Sequence, residues 1–309
     1  MHHERQTNLF GVLNINKPPG VTSRRVVDKV GVNAPRKTKI GHCGTLDPLA
    51  TGVLIVCVGP ATRLIQFGQF AEKRYEGTFR FGLTSDTEDI SGKVEVVEGP
   101  TLTATDVEGV LAEFTGTINQ LPPSFSALRV NGKRAYQLAR KGKEVPLEPR
   151  PIQIHDIRLT DFSWPDFKLS IRCGSGTYVR SLGRDIAIRL GAHAVMTELT
   201  RTGIGALNLE DAIELDSLTR ESIHQHFLPG QSLIGDMPTT VIEDEEIISL
   251  ADGQPVERKY PGGAVTQGEI AGIDRQDRLI AILQPWRYDY FTPKINFSKY
   301  WRNLPASNP

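Results

Sequence analysis

Gly41-His42-Cys43-Gly44-Thr45-Leu46-Asp47-Pro48-Leu49-Ala50-Thr51-Gly52 is the stretch on which the reading of this 309-residue chain turns. Three glycines in twelve residues let the backbone turn tightly and let a ligand come close. Glycine punctuation and polarity make Thr38–Pro48 a loop rather than a strand. One carboxylate, Asp47, sits between Leu46 and Pro48, just ahead of the apolar run Val53–Val58, which reads as a buried strand closed by Gly59-Pro60. A catalytic acid, base or nucleophile needs such fixed presentation. A loop Asp before Pro is more often an Asx-turn carboxylate satisfied by nearby amides. The local sequence leaves both readings open.

Working outward, Val21–Val30 places Val26, Val27 and Val30 on one helical face, with Thr22 or Ser23 as cap. Arg74–Phe81 is a second strand, ended by Gly82. Thr105-Asp-Val-Glu108 has capping-box form, and Val107, Val110, Leu111 and Phe114 follow at helical spacing. Leu121-Pro-Pro-Ser is a turn, and Gly132–Lys141 reads as a basic helix stopped by Gly142. Ile152, Ile154, Ile157, Leu159 and Phe162 form a strand whose alternation slips after His155, as at a β-bulge. Phe167, Leu169, Ile171 and Cys173 alternate as its hairpin partner across Trp164-Pro165-Asp166. Thr177–Leu190 is a helix with Gly191 just past its end. Strands and helices mix without βαβ alternation, so the class is α+β with a mostly antiparallel sheet. Composition shifts near Leu228-Pro-Gly. The acidic run Glu243–Glu246 and the hairpin-like pair Ile270–Ile273 and Leu279–Leu283 then point to a small β-rich second domain of about 70 residues.

The composition is that of a soluble globular chain, which excludes disordered, collagen-like and disulfide-framed classes. No apolar run approaches the roughly 18–20 residues of a membrane span, and the N-terminus lacks a signal-peptide core. Cys43, Cys57 and Cys173 form no C-x-x-C pair and suit neither a disulfide framework nor a zinc site. A cytoplasmic location is expected. No nucleophile elbow, phosphate loop, dinucleotide fingerprint or H-E-x-x-H spacing occurs. Net charge is zero, but residues 1–63 carry +6, residues 121–150 carry +5 and residues 205–255 carry −10. Two basic regions balanced by an acidic one are compatible with docking a polyanion, and equally with unrelated solvated surfaces.

Four blocks carry a resemblance: Asn16-Lys-Pro-Pro-Gly-Val-Thr-Ser23, Gly41–Gly52, Pro122-Pro-Ser-Phe-Ser-Ala-Leu with Asn-Gly-Lys-Arg-Ala-Tyr136, and Gly176-Thr-Tyr-Val-Arg180-Ser-Leu. In this order they closely resemble the bacterial TruB family of tRNA pseudouridine synthases, from Gly11 to about Gly205 and more weakly beyond. The resemblance implies a pseudouridine-synthase fold, an α+β arrangement of a mostly antiparallel mixed sheet flanked by helices. It implies a catalytic domain over 1–235 with a thumb-like insertion at about 124–150, and a PUA-like RNA-binding domain over 240–309. The implied activity is isomerisation of uridine 55 in the T loop of tRNA, by a monomer that needs neither metal nor other cofactor.

Carried over residue by residue, Asp47 resembles the nucleophilic aspartate and Arg180 its arginine partner. Tyr75 resembles the tyrosine that stacks on the target base, and Leu199 an apolar wall of the uracil pocket. His42 resembles a histidine that fills space left by flipped bases. Lys17 belongs to the motif bracing the active-site loop, and Asp89 resembles a carboxylate that orients the arginine. Arg129, Lys133, Arg134, Arg140 and Lys141 of the insertion are candidate phosphate contacts. The departures are Arg129 for Lys, Ser85 for Thr, Thr200 for a second Arg and Ala187 for Gly. The aromatic and basic tail, with Trp286, Tyr288, Tyr290, Phe291, Tyr300 and Trp301, reads equally as RNA clamp or as core edge. The competing functions are a non-catalytic tRNA-binding or folding module, a guide-dependent pseudouridine synthase, and a glycosidase using Asp47 and Asp89. An arginine holding both carboxylates ionised disfavours the last.

Overall fold

The structure, a computed structural model, describes residues 9–302 apart from 127, 131, 143–144, 258–267 and 288, and only the backbone at 129, 130, 133 and 134. The chain forms β1 (Gly11–Lys17), α1 (Ser23–Asn33), β2 (Ile40–His42), β3 (Thr51–Val58), α2 (Ile65–Phe70), β4 (Lys73–Phe81), β5 (Leu83–Ser85) and β6 (Val94–Val96). Next come α3 (Ala104–Leu111), β7 (Gly116–Gln120), β8 (Arg129–Val130), β9 (Lys133–Arg134), α4 (Ala135–Ala139), β10 (Arg150–Ser163), β11 (Asp166–Cys173), α5 (Val179–Arg189) and β12 (Ala194–Ile204). The remainder is β13 (Leu207–Asn208), β14 (Ile213–Glu214), β15 (Thr239–Val241), α6 (Asp244–Ala251), β16 (Val256–Glu257), β17 (Ile270–Ile273), β18 (Leu279–Arg287), β19 (Tyr290–Asn296) and α7 (Ser298–Arg302).

One large sheet has the order β14-β1-β3-β12-β4-β11-β10-β7, with β2 on β3 and β13 on β12. Only β1–β14 and β3–β12 run parallel. The α+β, mostly antiparallel expectation therefore matches the fold. The unbroken apolar run of β3 has a direct cause. Leu54, Val56 and Val58 pack toward α1, while Val53, Ile55 and Cys57 pack on the other face against Leu64, Leu233 and the C-terminal sheet. Helices α3 and α5 cover β4, β10, β11 and β12 through Val107, Leu111, Leu182 and Ile186. The C-terminal sheet, β15-β17-β18-β19-β16, packs α6 on Ile242, Ile280 and Leu283.

Several local readings need correction. The segment Thr38–Pro48 is not all loop: Ile40–His42 pairs with Val56–Val58 of β3. The cause lies in β12, which meets β3 only at Thr51 and Gly52 and leaves the rest of that edge to be covered. The capping box is formed by Thr103 and Asp106, not Thr105 and Glu108, and α3 starts two residues earlier than that motif would allow. Helix α1 is capped by Thr22 and runs on to Asn33. Gly132–Lys141 is not one helix; β8 and β9 pair Arg129 with Arg134 and Val130 with Lys133, and only Ala135–Ala139 is helical. The Asn-Gly dipeptide at 131–132 is a hairpin signal that outweighs the helical reading. The β10 irregularity does fall at His155, between Ile154 and Asp156.

Candidate active site

The loop carrying Asp47 is held on both sides of that residue. Before it, the Ser23 hydroxyl at the start of α1 accepts from the Leu46 amide at 2.8 Å and donates to the Leu46 carbonyl at 3.0 Å. After it, the Pro48 carbonyl accepts from the Gly20 amide at 2.8 Å and from Lys17 Nζ at 3.3 Å. Lys17 is fully buried and also donates to the Pro18 and Val21 carbonyls at 2.9 and 2.7 Å. Its side chain thus braces the Pro-Pro-Gly turn against the loop. Burial lowers its pKa to about 8, with Asp47 pulling the other way.

Asp47 itself forms an ion pair with Arg180, its Oδ2 lying 2.9 Å from Nε; the carboxylate side chain is 35% exposed and the arginine only 6%. No backbone amide donates to this carboxylate among the described residues, so the geometry departs from the Asx-turn alternative. Arg180, the second residue of α5, donates Nη1 to the Thr87 carbonyl at 2.6 Å and Nη2 to the Phe125 carbonyl at 3.2 Å. Its Nη1 lies 3.6 Å from Asp89 Oδ2. Asp89 is fixed in turn by the Thr87 hydroxyl and the Ser91 amide, each at 2.8 Å. Burial raises the Asp47 pKa, Arg180 opposes it, and Asp89 adds to the rise. The arrangement presents one carboxylate to solvent with its counter-ion buried behind it.

Tyr75 and Leu199 are buried with Leu46 and Ala50 in the cluster beneath the loop. Burial raises the Tyr75 phenol pKa, and the Asp47 charge reaches it. Asp47, Arg180, Asp89, Lys17, Tyr75 and Leu199 are therefore brought together. His42 lies to one side on β2, its Nδ1 buried without a hydrogen-bond partner and its pKa lowered chiefly by burial; the charges it feels are Arg201 and Arg24. Arg140 and Lys141 are exposed, and Arg140 stacks over Tyr136 at 5.5 Å. The side chains of Arg129, Lys133 and Arg134 lie outside the described residues.

Two features escaped the sequence. Glu88 accepts from Ser181 Oγ at 2.6 Å and pairs with Arg184, whose Nη2 donates to the Leu121 carbonyl at 2.9 Å, so α5 grips the base of the insertion. Arg201 on β12 is 1% exposed. Its only sequence signal is parity: it falls two residues after Leu199 on the same buried face. In the tail, Phe291 is buried, and Tyr300 and Trp301 pack on Phe10 with centroids at 5.3 and 5.1 Å. Trp286 and Tyr290 are exposed, and Tyr288 lies outside the described residues.

Comparison with known proteins gives the family. A family model described as TruB family pseudouridylate synthase (N terminal domain) matches residues 32–179. A tRNA pseudouridine synthase B of Syntrophomonas wolfei is 36% identical over 287 residues, covering 91% of this chain and 95% of the relative. The chain belongs to the TruB family of pseudouridylate synthases. A TruB relative from Microcystis aeruginosa, also a tRNA pseudouridine synthase B, is 44% identical over 214 residues, 68% of this chain and 72% of that one. Among solved structures, the chain resembles one from the crystal structure of a Cbf5-Nop10-Gar1 complex, with TM-score 0.66 and 27% identity, covering 91% of this chain and 79% of that one. Among the described residues, no three His, Cys, Asp or Glu side chains converge as a metal site, and no helix is long and apolar enough to cross a membrane.

Proposed function

We propose that this TruB-family isomerase converts uridine 55 in the T loop of tRNA to pseudouridine, with Asp47 as the nucleophile. The observation that carries the assignment of Asp47 is its pairing at 2.9 Å with a buried Arg180 while its own carboxylate faces solvent. The reaction breaks the N1–C1′ bond, forms C5–C1′, removes the C5 proton and protonates N1. An ionised carboxylate serves it by attacking the base or sugar, or by taking a sugar proton to give a glycal. Arg180 and Lys17 favour the ionised form that any of these routes needs. Tyr75 and Leu199 supply an aromatic and an apolar surface for a planar base taken out of its stack. The basic insertion contributes phosphate contacts, and the C-terminal sheet is read as the PUA-like module. A cytoplasmic location accompanies this reading.

A second reading, action directed by a guide RNA, is kept because the chain resembles one solved as part of a multi-subunit Cbf5-Nop10-Gar1 complex and not alone. Curated relatives with higher identity are named tRNA pseudouridine synthase B, which favours the stand-alone reaction. Purified protein is incubated with an unmodified tRNA transcript labelled with tritium at uridine C5, without any other RNA. Tritium release, with pseudouridine mapped to position 55, is expected. Release that requires added guide RNA would establish the second reading, and binding without release would leave a tRNA-folding module.

A further inference from the structure

We propose that Arg201 is a positioning residue for the isomerisation, holding the Tyr75 phenol and the two flanks of the Asp47 loop in register. The proposal rests on the function proposed above. Arg201 and Tyr75 are directly opposed partners in the β12–β4 ladder, so their side chains stand side by side on one face. The guanidinium donates Nε to the Val53 carbonyl at 2.7 Å and Nη2 to the Gly44 carbonyl at 3.3 Å. Gly44 precedes Asp47 and Val53 follows it, so one side chain pins both ends of the loop that presents the carboxylate. Gly44 has φ 98°, a conformation that favours glycine at this point of the loop.

An arginine cannot shed its proton when buried, and an apolar side chain of similar volume would fill the space without the desolvation cost. Arg201 is 1% exposed, and no carboxylate pairs with it among the described residues. Two buried cations, Lys17 and Lys73, feel its charge, and burial together with Arg201 lowers each to about 8. A buried guanidinium whose hydrogen bonds go to the frame of a reactive loop, and whose remaining face meets the phenol, is explained by what it orients. The groups that face Tyr75 are Arg201 on β12, Cys173 on β11 and Asp47 on the loop. Arg201 is the only cation of the three. Beside the phenol, Arg201 opposes the rise that burial imposes on the Tyr75 pKa.

The test is a double-mutant cycle with Arg201→Met and Tyr75→Phe, with Arg201→Lys as a variant that keeps the charge. Arg201→Met should lower kcat at least tenfold while changing KM less than threefold. In the Tyr75→Phe background it should lower kcat by a clearly smaller factor, the part that remains being the loss from the unpinned loop. An equal loss in both backgrounds, or a loss confined to KM, would overturn the proposal, as would failure of both Arg201 variants to fold. A second readout needs no turnover: with 13Cζ-tyrosine incorporated, the Tyr75 resonance, assigned by its loss in Tyr75→Phe, should move in Arg201→Met while the other tyrosines stay. An unmoved resonance would sink Arg201 and leave the functional reading standing; a parent protein inactive on tRNA would sink the functional reading, and the proposal with it, even where the resonance moves.

Discussion

Asp47 is pulled in two directions, upward by burial and by Asp89, downward by Arg180 and Lys17, with burial the largest cause. The acid limb of kcat/KM should therefore begin above the 3.8 of an ordinary aspartate, because the carboxylate takes up its proton at higher pH. A limb at or below 3.8 would place the essential ionisation elsewhere. Asp47→Asn keeps the shape and removes the charge, so turnover should fall below detection while tRNA binding, by filter retention, stays within a few fold. Lys17 gives a stability signature of its own. Its pKa is about 8 in the fold against 10.5 unfolded, so between these values the unfolded chain holds a proton that the folded chain lacks. Unfolding free energy should then rise with pH across that window, and urea titrations of Lys17→Met should show a weaker rise than the parent. Lys17, Asp47 and Arg180, which the fold brings together, were legible because short motifs carry them. Arg201 was not, since a lone arginine in an apolar strand carries no motif.

At the scale of elements, periodicity decided the strands that bury both faces or alternate cleanly. It misjudged β2 and the insertion, where the outcome depends on a free sheet edge and a hairpin dipeptide rather than on local propensity. The Thr103 box shows the same limit, because Thr105 and Glu108 offer a sequence match and only packing chooses between them. Thr103→Ala should cost about 1 kcal/mol, read by urea unfolding, whereas Thr105→Ala should be near neutral. The junction of β3 with β12 is less forgiving. Gly52 has φ 96°, and a Cβ there would lie 2.3 Å from the Arg201 carbonyl oxygen. Gly52→Ala should destabilise by about 1–3 kcal/mol from backbone strain, with more from the clash. It should also lower kcat, because the displaced strand carries Leu199 and Arg201. A variant with parental Tm and kcat would show that this junction yields without consequence.

For the whole molecule, the decisive contact is the one between the two sheets. The sequence reading divides the chain into 1–235 and 240–309, a division implied by the resemblance and accompanied by a composition shift near Leu228. The core runs across that line: Val12, Val53, Ile55, Cys57 and Leu64 share one cluster with Leu233, Ala271, Leu279, Ile282, Ile295 and Phe297. Phe10 extends it, stacking edge-on against Phe297 at 5.0 Å, and Trp301 donates its indole N–H to the Leu279 carbonyl at 2.8 Å. One face of β1 and β3, the strands that brace Lys17 and the Asp47 loop, is therefore roofed by C-terminal residues. Burial of such a face contributes roughly 25 cal/mol for each Å² removed from water, and its loss draws directly on the marginal stability of a domain. A chain ending at 235 should bind a hydrophobic dye, lose cooperative thermal unfolding and release no tritium from tRNA, while the full chain unfolds in one calorimetric transition. An independent C-terminal module would give the opposite result: the shortened chain would keep the parent's Tm and its kcat, and only KM would rise as RNA contacts were lost.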